Sequence, residues 1–200
     1  RNCSPRSARS AERARRTPST PSMANRQSLK ELQERLAQRL TAAKTEAATA
    51  SWLAVEAGGE RFLVPLVQSG EIFPWTTVQA VPYTKPWYAG VASLRGGLHG
   101  VVDLPGLIGR AALTGGSPLE RVTSETRLVS LHAALGVNAV LWIDRLLGLR
   151  NPAMFGAIAP RPPQAPPFFA RCLIDHQGQT WQELDLQALV TDPGFLAIAA

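Results

Sequence analysis

The chain has 200 residues, 45% of them hydrophobic, which is enough for one ordinary domain or two small lobes sharing a core. Its formal charge of +6 is lopsided: residues 1–22 hold six Arg against one Glu, while the remainder holds 15 Lys and Arg against 14 Asp and Glu. A body so close to neutral argues against a basic nucleic-acid groove. No apolar run approaches the ~20 residues a membrane-spanning helix needs, and two cysteines make no disulfide framework.

Residues 1–22 are Arg, Ser, Pro and Thr with almost no large apolar side chain, so they cannot bury a core and are expected to be disordered. The sequence opens on Arg1, and Met23 follows the basic stretch directly. The expectation is that Met23 is the natural start and that residues 1–22 are a cloning-derived or upstream-translated tail. A basic arm for nucleic acid or a membrane is the functional alternative. No apolar segment follows the arginines, so the stretch is not a secretory signal. Cys3 lies in this tail and Cys172 stands alone in an apolar strand, which fits a reducing cytoplasm.

Residues 23–51 read as an N-terminal helix and linker. Ser28-Leu29-Lys30-Glu31 is a capping box, and Leu29, Leu32, Leu36 and Leu40 fall on one narrow face. The stripe is suited to docking on the protein's own body or on a partner. From Trp52 the hydrophobic period changes to two. Trp52–Val55 and Phe62–Leu66 flank Gly58-Gly59 as a hairpin, and Gln68–Phe73 is a further strand. Pro74-Trp75 and Val78–Pro82 read as loop.

The most informative stretch is 86–109, PWYAGVASLRGGLHGVVDLPGLIG. Two β-rich runs meet at Arg95-Gly96-Gly97, where Gly supplies the positive φ of a tight turn. Asp103 is placed to cap a helical turn from Leu104 to Ile108, with Pro105 tolerated in its first turn. A Gly/Ser/Thr/Pro connection follows at 110–124. Thr126–His132, Val137–Ile143 and a bent Asp144–Arg150 are the next strands. Residues 151–167 hold six prolines and few charges and read as a long irregular loop. Phe168–Asp175 and Gln179–Asp185 form the last hairpin across His176-Gln177-Gly178, and Leu186–Val190 repeats the capped turn.

The 86–109 unit recurs 82 positions later. Val91 pairs with Leu173, Gly96 with Gly178, Asp103 with Asp185, Leu104 with Leu186, Leu107 with Leu189 and Ile108 with Val190. A second echo sets Gly59, Leu63, Val64 and Leu66 against Gly136, Val140, Leu141 and Ile143. Two copies of a β-unit predict duplicated small barrels rather than a solenoid. About ten short strands with few helices make the chain mostly β. His99, His132 and His176 form no metal-ligand spacing, and the chain lacks a phosphate loop, a dinucleotide fingerprint and a nucleophile elbow. Catalysis, a cofactor and a metal are therefore not expected.

Gly90-Val91-x-x-Leu94-Arg95-Gly96 followed by Val101-Val102-Asp103-Leu104, with Glu71-Ile72 and Ile143-Asp144 in register, resembles the CheW-like domain of bacterial chemotaxis adaptors. The resemblance runs from Gly58 through Gly109 and again from Arg127 through Val190. Ser93 stands where that family usually has Asn, and His99-Gly100 where it usually has Val-Pro. This His-Gly, with Pro86-Trp87 upstream, is similar to the PilI branch, the twitching-motility version of the adaptor. Arg171-Cys172 replaces a usual Gly, which weakens the match in the second half.

The resemblance implies two SH3-like five-stranded β-barrels sharing a core over residues 52–200, with lobe one at about 52–110 and lobe two at about 125–190. An N-terminal amphipathic helix and short helical turns complete the fold. It further implies a non-catalytic adaptor between the cytoplasmic tip of a methyl-accepting chemoreceptor and the regulatory domain of a CheA-type histidine kinase. The place of action would be the cytoplasm, at receptor arrays near the inner membrane, with type IV pilus movement as output. Carried over by position, Arg95 and Gly90 belong to the partner-facing region, and Glu71 and Ile72 to the contact surface beside it. On residue chemistry alone, Arg95 on a glycine-flanked turn is either simply solvated or displayed for a partner carboxylate. The competing class is a small β-barrel that binds nucleic acid, which needs a basic groove with stacking aromatics. Affinity for single strands that vanishes with residues 1–22 would dismiss it.

Overall fold

The computed structural model describes residues 31–37, 51–109 and 121–200. The chain falls into two units, residues 1–44 and 45–200. In the first, residues 31–37 are helical, with Leu32 and Leu36 exposed. The basic tail, Ser28, Leu29, Leu40, the Ala/Thr-rich residues 41–50 and most of the 110–124 connection lie outside the described residues.

The second unit is β-rich. Its strands are β1 (Trp52–Ala57), β2 (Glu60–Pro65), β3 (Ser69–Pro74), β4 (Tyr88–Leu94), β5 (Gly97–Asp103), β6 (Arg127–Leu131), β7 (Ala139–Ile143), β8 (Arg145–Arg150), β9 (Phe155–Ala159), β10 (Phe169–Asp175) and β11 (Thr180–Leu184). Short helices span Leu104–Leu107, Leu186–Thr191 and Pro193–Leu196. Gly58 and Gly59 both take positive φ (61° and 77°), as do Arg95 and Gly96 (46° and 80°), so β1–β2 and β4–β5 are joined by two-residue turns whose twist matches the strands.

Two mixed sheets result, in the orders β8-β1-β2-β11-β10-β9 and β3-β6-β7-β5-β4. Exchanging β1 for β6, β2 for β7, β8 for β3, β10 for β4 and β11 for β5 turns one order into the other, leaving β9 over. Each sheet therefore draws strands from both halves of the chain, and residues 52–110 and 125–190 are interlocked rather than side by side. The interlock is made by two parallel pairs, β5 with β7 (Val101 opposite Val140) and β11 with β2 (Gln182 opposite Phe62).

Side-chain alternation then sorts three cores. On β1, Trp52 and Ala54 join Leu63 of β2 and Trp181 inside one barrel. On β7, Val140 and Trp142 join Leu128 and Val101 inside the other. The opposite faces of the same strands (Leu53, Val55, Phe62, Val64, Leu141, Ile143) meet Leu104, Leu184 and Leu186 in a core common to both barrels. Strands buried on both faces explain why β1, β2 and β7 read as nearly continuous apolar runs rather than as clean alternation. Leu104 and Leu186 are each fully buried, and each burial contributes roughly 1.5–3 kcal/mol.

One element differs from expectation. Residues 151–167 are not all loop: a 3-10 turn at Pro152–Met154 leads into β9. Phe155 sits edge-on to Trp52 and Trp181, with ring centroids 5.7 and 6.3 Å apart, and this packing holds a Pro-flanked segment in strand form. The counterpart of β9 in the other sheet is a single bridge, Gln79 to Val91, set against Ile158 opposite Leu173.

Candidate functional site

β3 and β4 are the two edges of the five-stranded sheet, and the site lies where they approach each other. In β3 two residues, Gly70 and Glu71, stand opposite the single Ser130 of β6. Ser130 stitches this bulge: its hydroxyl accepts from the Glu71 N–H (2.7 Å) and donates to the Glu71 carbonyl (3.1 Å). A side chain at Gly70 would come within 2.5 Å of the same hydroxyl. The bulge turns Glu71 outward, and the β4–β5 turn brings Arg95 to it, with Nη2 2.5 Å from Oε1. The Arg95 side chain is 76% exposed, so the pair bridges the barrel's two edges while leaving most of the guanidinium to solvent. Such exposed pairs contribute about 0–1 kcal/mol, so this one adds little to the fold.

Ile72 follows on the same strand and is partly exposed. Gly90 is placed differently. It is buried in β4 at φ +137°, and a Cβ there would press onto the Gln79 carbonyl and lie 2.9 Å from the Ala80 Cα. It shapes the surface through the crossing of residues 79–80 over β4 and displays no side chain of its own. The structure thus pairs Arg95 with Glu71 on one face. A groove of about 470 Å³ runs along this face, floored by Phe73 and Leu94 and rimmed by His99, His132, Val137 and Asn138. Ile72, next along β3, and Gly90, under the crossing of residues 79–80, do not line the groove there. The Phe73 and His99 rings lie 6.5 Å apart across it.

A polar cluster lies at the far end of β5 from the Arg95 turn, and here Asp103 departs from its expected role as a cap. It occupies the N-cap position of Leu104–Leu107, where the Gly106 N–H faces its carboxylate without the geometry of a full capping hydrogen bond. Its buried carboxylate instead receives the Arg121 guanidinium, which also lies 3.6 Å from Asp144 and 4.8 Å from the centre of the Trp142 ring. Burial raises the Asp103 pKa, against the opposing pull of Arg121 and of the Gly106 N–H, and Asp144 adds to the rise. Asp144 in turn accepts from the Gly58 N–H at 2.6 Å, so the cluster ties the β1–β2 turn to β5. Asp185 does cap, accepting from the Gln187 and Ala188 N–H groups.

Sequence reasoning missed Ser130 and Arg121. Neither carries a motif, and each acts through a partner far along the chain. Among the described residues no cluster of three or more His, Cys, Asp or Glu could hold a metal, and no helix is long and apolar enough to cross a membrane.

The CheW-like domain family matches residues 51–194, which span both interlocked barrels. The chain belongs to the CheW-like domain family. It is 29% identical over 168 residues to Protein PilI of Pseudomonas aeruginosa, an alignment covering 82% of this chain and 89% of that protein. It also shares the fold of a scaffolding protein, TtCheW from Thermoanaerobacter tengcongensis, with a TM-score of 0.58 and 18% identity over 73% of this chain and 90% of that one. Membership in this family, with similarity to PilI, supports an adaptor role in signal transduction, and the two-barrel architecture expected from the residues is present.

Proposed function

We propose that this CheW-like protein is a non-catalytic adaptor coupling the cytoplasmic tip of a methyl-accepting chemoreceptor to the regulatory domain of a CheA-type histidine kinase. Its system governs type IV pilus twitching motility, and it acts in the cytoplasm at receptor arrays beside the inner membrane. The observation that carries this reading is the family match across residues 51–194, joined to similarity with PilI over most of both chains. Arg95 and Gly90 belong to the partner-facing region and Glu71 and Ile72 to the contact surface beside it, with the Arg95–Glu71 pair at its centre. Arg95 keeps guanidinium donors beyond the one engaged by Glu71, so an incoming carboxylate can share it without breaking the pair.

Calorimetric titration of the full chain against the kinase regulatory domain, and against a receptor-tip fragment of the same host, tests the proposal. Saturable one-to-one binding is expected. Arg95→Ala should weaken it about tenfold, or ~1.4 kcal/mol, with an unchanged thermal midpoint. The double exchange Arg95→Glu with Glu71→Arg keeps an internal ion pair but reverses its polarity, so binding should stay lost. Restored binding would mean that the pair only closes the barrel. Absence of binding to both partners at high micromolar concentration would overturn the adaptor reading.

A further inference from the structure

The chain has three histidines, His99, His132 and His176, and each sets one ring nitrogen against a backbone group. Two of these contacts survive protonation of the ring. His99 Nδ1 lies 3.3 Å from the Gly97 carbonyl, and His176 Nε2 lies 3.0 Å from the Ala153 carbonyl. A carbonyl only accepts, so the nitrogen facing it carries the hydrogen, as it also does in the imidazolium ion. His132 has the opposite polarity. Its Nδ1 accepts from the Ala134 N–H at 3.1 Å. That nitrogen must present its lone pair, which fixes the neutral ring with its hydrogen on Nε2. A proton on Nδ1 would set two N–H groups against each other.

The bond is an N-cap. His132 takes the extended backbone of a capping residue (φ −64°, ψ 139°) ahead of the 3-10 turn Ala133–Leu135, which joins β6 to β7. Ser, Thr, Asn or Asp commonly holds such a place, and a His there makes the cap titratable where ordinary imidazoles change charge. The ring is exposed, so solvent protons reach it. The turn is tied down on both sides: the His132 N–H donates to the Gln68 carbonyl, and the Asn138 carbonyl accepts from the Gly100 N–H, each at 2.9 Å. Between these anchors the Ala134 N–H has the imidazole as its acceptor, while Leu135 and Val137 are only partly buried against the shared core.

No carboxylate offsets a proton on this ring. Among the described residues His132 forms no ion pair. The charged or titratable groups that share its groove are Glu71 on β3, Arg95 on the β4–β5 turn and His99 on β5, and Glu71 is already engaged by Arg95. β6 carries Arg127 at its other end, and neither β7 nor the helix Leu186–Thr191 has a charged side chain. Asp185 lies beyond Gln68, whose amide it holds while it caps that helix.

We infer that His132 is a proton-operated cap: the neutral ring closes the β6–β7 turn, and protonation releases residues 133–137 while the anchors on either side hold. Ala133 and Val137 line the groove that holds Arg95, so release reshapes its rim as the imidazolium adds a positive charge to it. The device belongs to the chain itself and operates without a partner. The cap is present while the ring is neutral and is lost as pH falls and the ring takes a proton.

NMR of the full chain from about pH 8 to about pH 5, the span in which an ordinary imidazole changes charge, tests this. At the upper end the His132 ring should show an unprotonated Nδ1 and the His99 ring a protonated one. As His132 titrates, the Ala134 amide resonance should follow it. Its protection from exchange, corrected for the intrinsic rate, should fall about fivefold, the loss expected of an N-cap. The Gly100 amide, bonded outside the turn, should keep its protection. His132→Asn retains an acceptor that does not titrate, so Ala134 should stay protected at both ends of the range. His132→Ala should leave it unprotected at both. A protonated Nδ1 in the neutral His132 ring, or equal Ala134 protection at both ends in the parent, would overturn the inference. A parent-like pH response in His132→Asn would overturn it too, by assigning the change to His99 or Glu71.

Discussion

The β4–β5 and β10–β11 hairpins occupy equivalent places in the two sheets, and they differ most where their neighbours differ. Gly90 of β4 corresponds to Cys172 of β10 at the 82-residue offset. Over β4 the chain crosses once, at Gln79, and so closely that no Cβ fits. Over β10 the same neighbour has become the strand β9, with Ala159 opposite Cys172, and a regular ladder spacing of ~4.8 Å leaves room for a side chain. Asp103 and Asp185 are likewise equivalent and both precede a fully buried Leu. One is drawn into an ion pair by Arg121 and the other caps its helix. Duplication has preserved backbone positions, while the job of each side chain is set by what arrives next to it.

The sharpest way to break this comparison is to remove the two aspartates. Asp103→Ala leaves the largely covered Arg121 guanidinium without its main counter-charge, with Asp144 still nearby, and should cost about 2–4 kcal/mol. Asp185→Ala loses a cap and should cost about 1 kcal/mol. Equal losses in urea unfolding would show that the two residues do the same work. Next in size, Gly90→Ala combines left-handed strain with a backbone clash and should cost roughly 2–4 kcal/mol. Cys172→Ala should cost about 1 kcal/mol or less.

The turns test sameness rather than difference. Gly96 and Gly178 have φ of 80° and 77° with open space around them, so Gly96→Val and Gly178→Val should each cost about 1–2 kcal/mol from backbone strain alone. Only Gly96→Val, next to Arg95, should also weaken partner binding. A matched loss of binding in Gly178→Val would place the second hairpin in the same contact surface.

The smallest effect is one of pH, and its sign differs between the hairpins. Burial raises the folded-state pKa of Asp103 above its ordinary 3.8. The native chain then holds that proton to higher pH than the unfolded chain, and this contribution to stability falls as pH rises from 3.8 through the raised value. Asp175 of β10 is lowered, first by the hydrogen bond from the Trp181 indole N–H and then by the Gln179 and Gln177 N–H groups. Its contribution is present above 3.8 and is lost as pH falls through the lowered value. Thermal midpoints of Asp103→Asn and Asp175→Asn, each subtracted from the parent across the acid range, should therefore slope in opposite directions. Parallel slopes would refute the contrast.

Much of the fold was legible because its signals are local. Gly58-Gly59, Arg95-Gly96 and Gly178 mark turns by their need for positive φ, and Asp-Leu marks each helical turn after a strand. β9 was hidden because five uncharged residues among prolines carry no period of their own. Their strand form comes from Phe155 packing on Trp52 and Trp181, one of them over a hundred residues distant in sequence. Arg95, Glu71 and Ile72 were singled out through the family resemblance, but that Arg95 pairs with Glu71 depends on the Ser130-stitched bulge, which no spacing reveals. Gly90 was carried over as a partner-facing residue; in the fold it is buried where residues 79–80 cross β4.

Hairpins, caps and the repeated unit follow from the sequence by itself, because neighbours in the chain are forced to be neighbours in space. The exchange of strands between sheets, the three-way sorting of the core and the meeting of Arg95 with Glu71 were decided by tertiary structure alone. The parallel pairs β5–β7 and β2–β11 have no turn to announce them, and in each the central strand, β7 or β2, carries apolar side chains on both faces and lies between a hairpin or antiparallel partner and a strand from the other half of the chain.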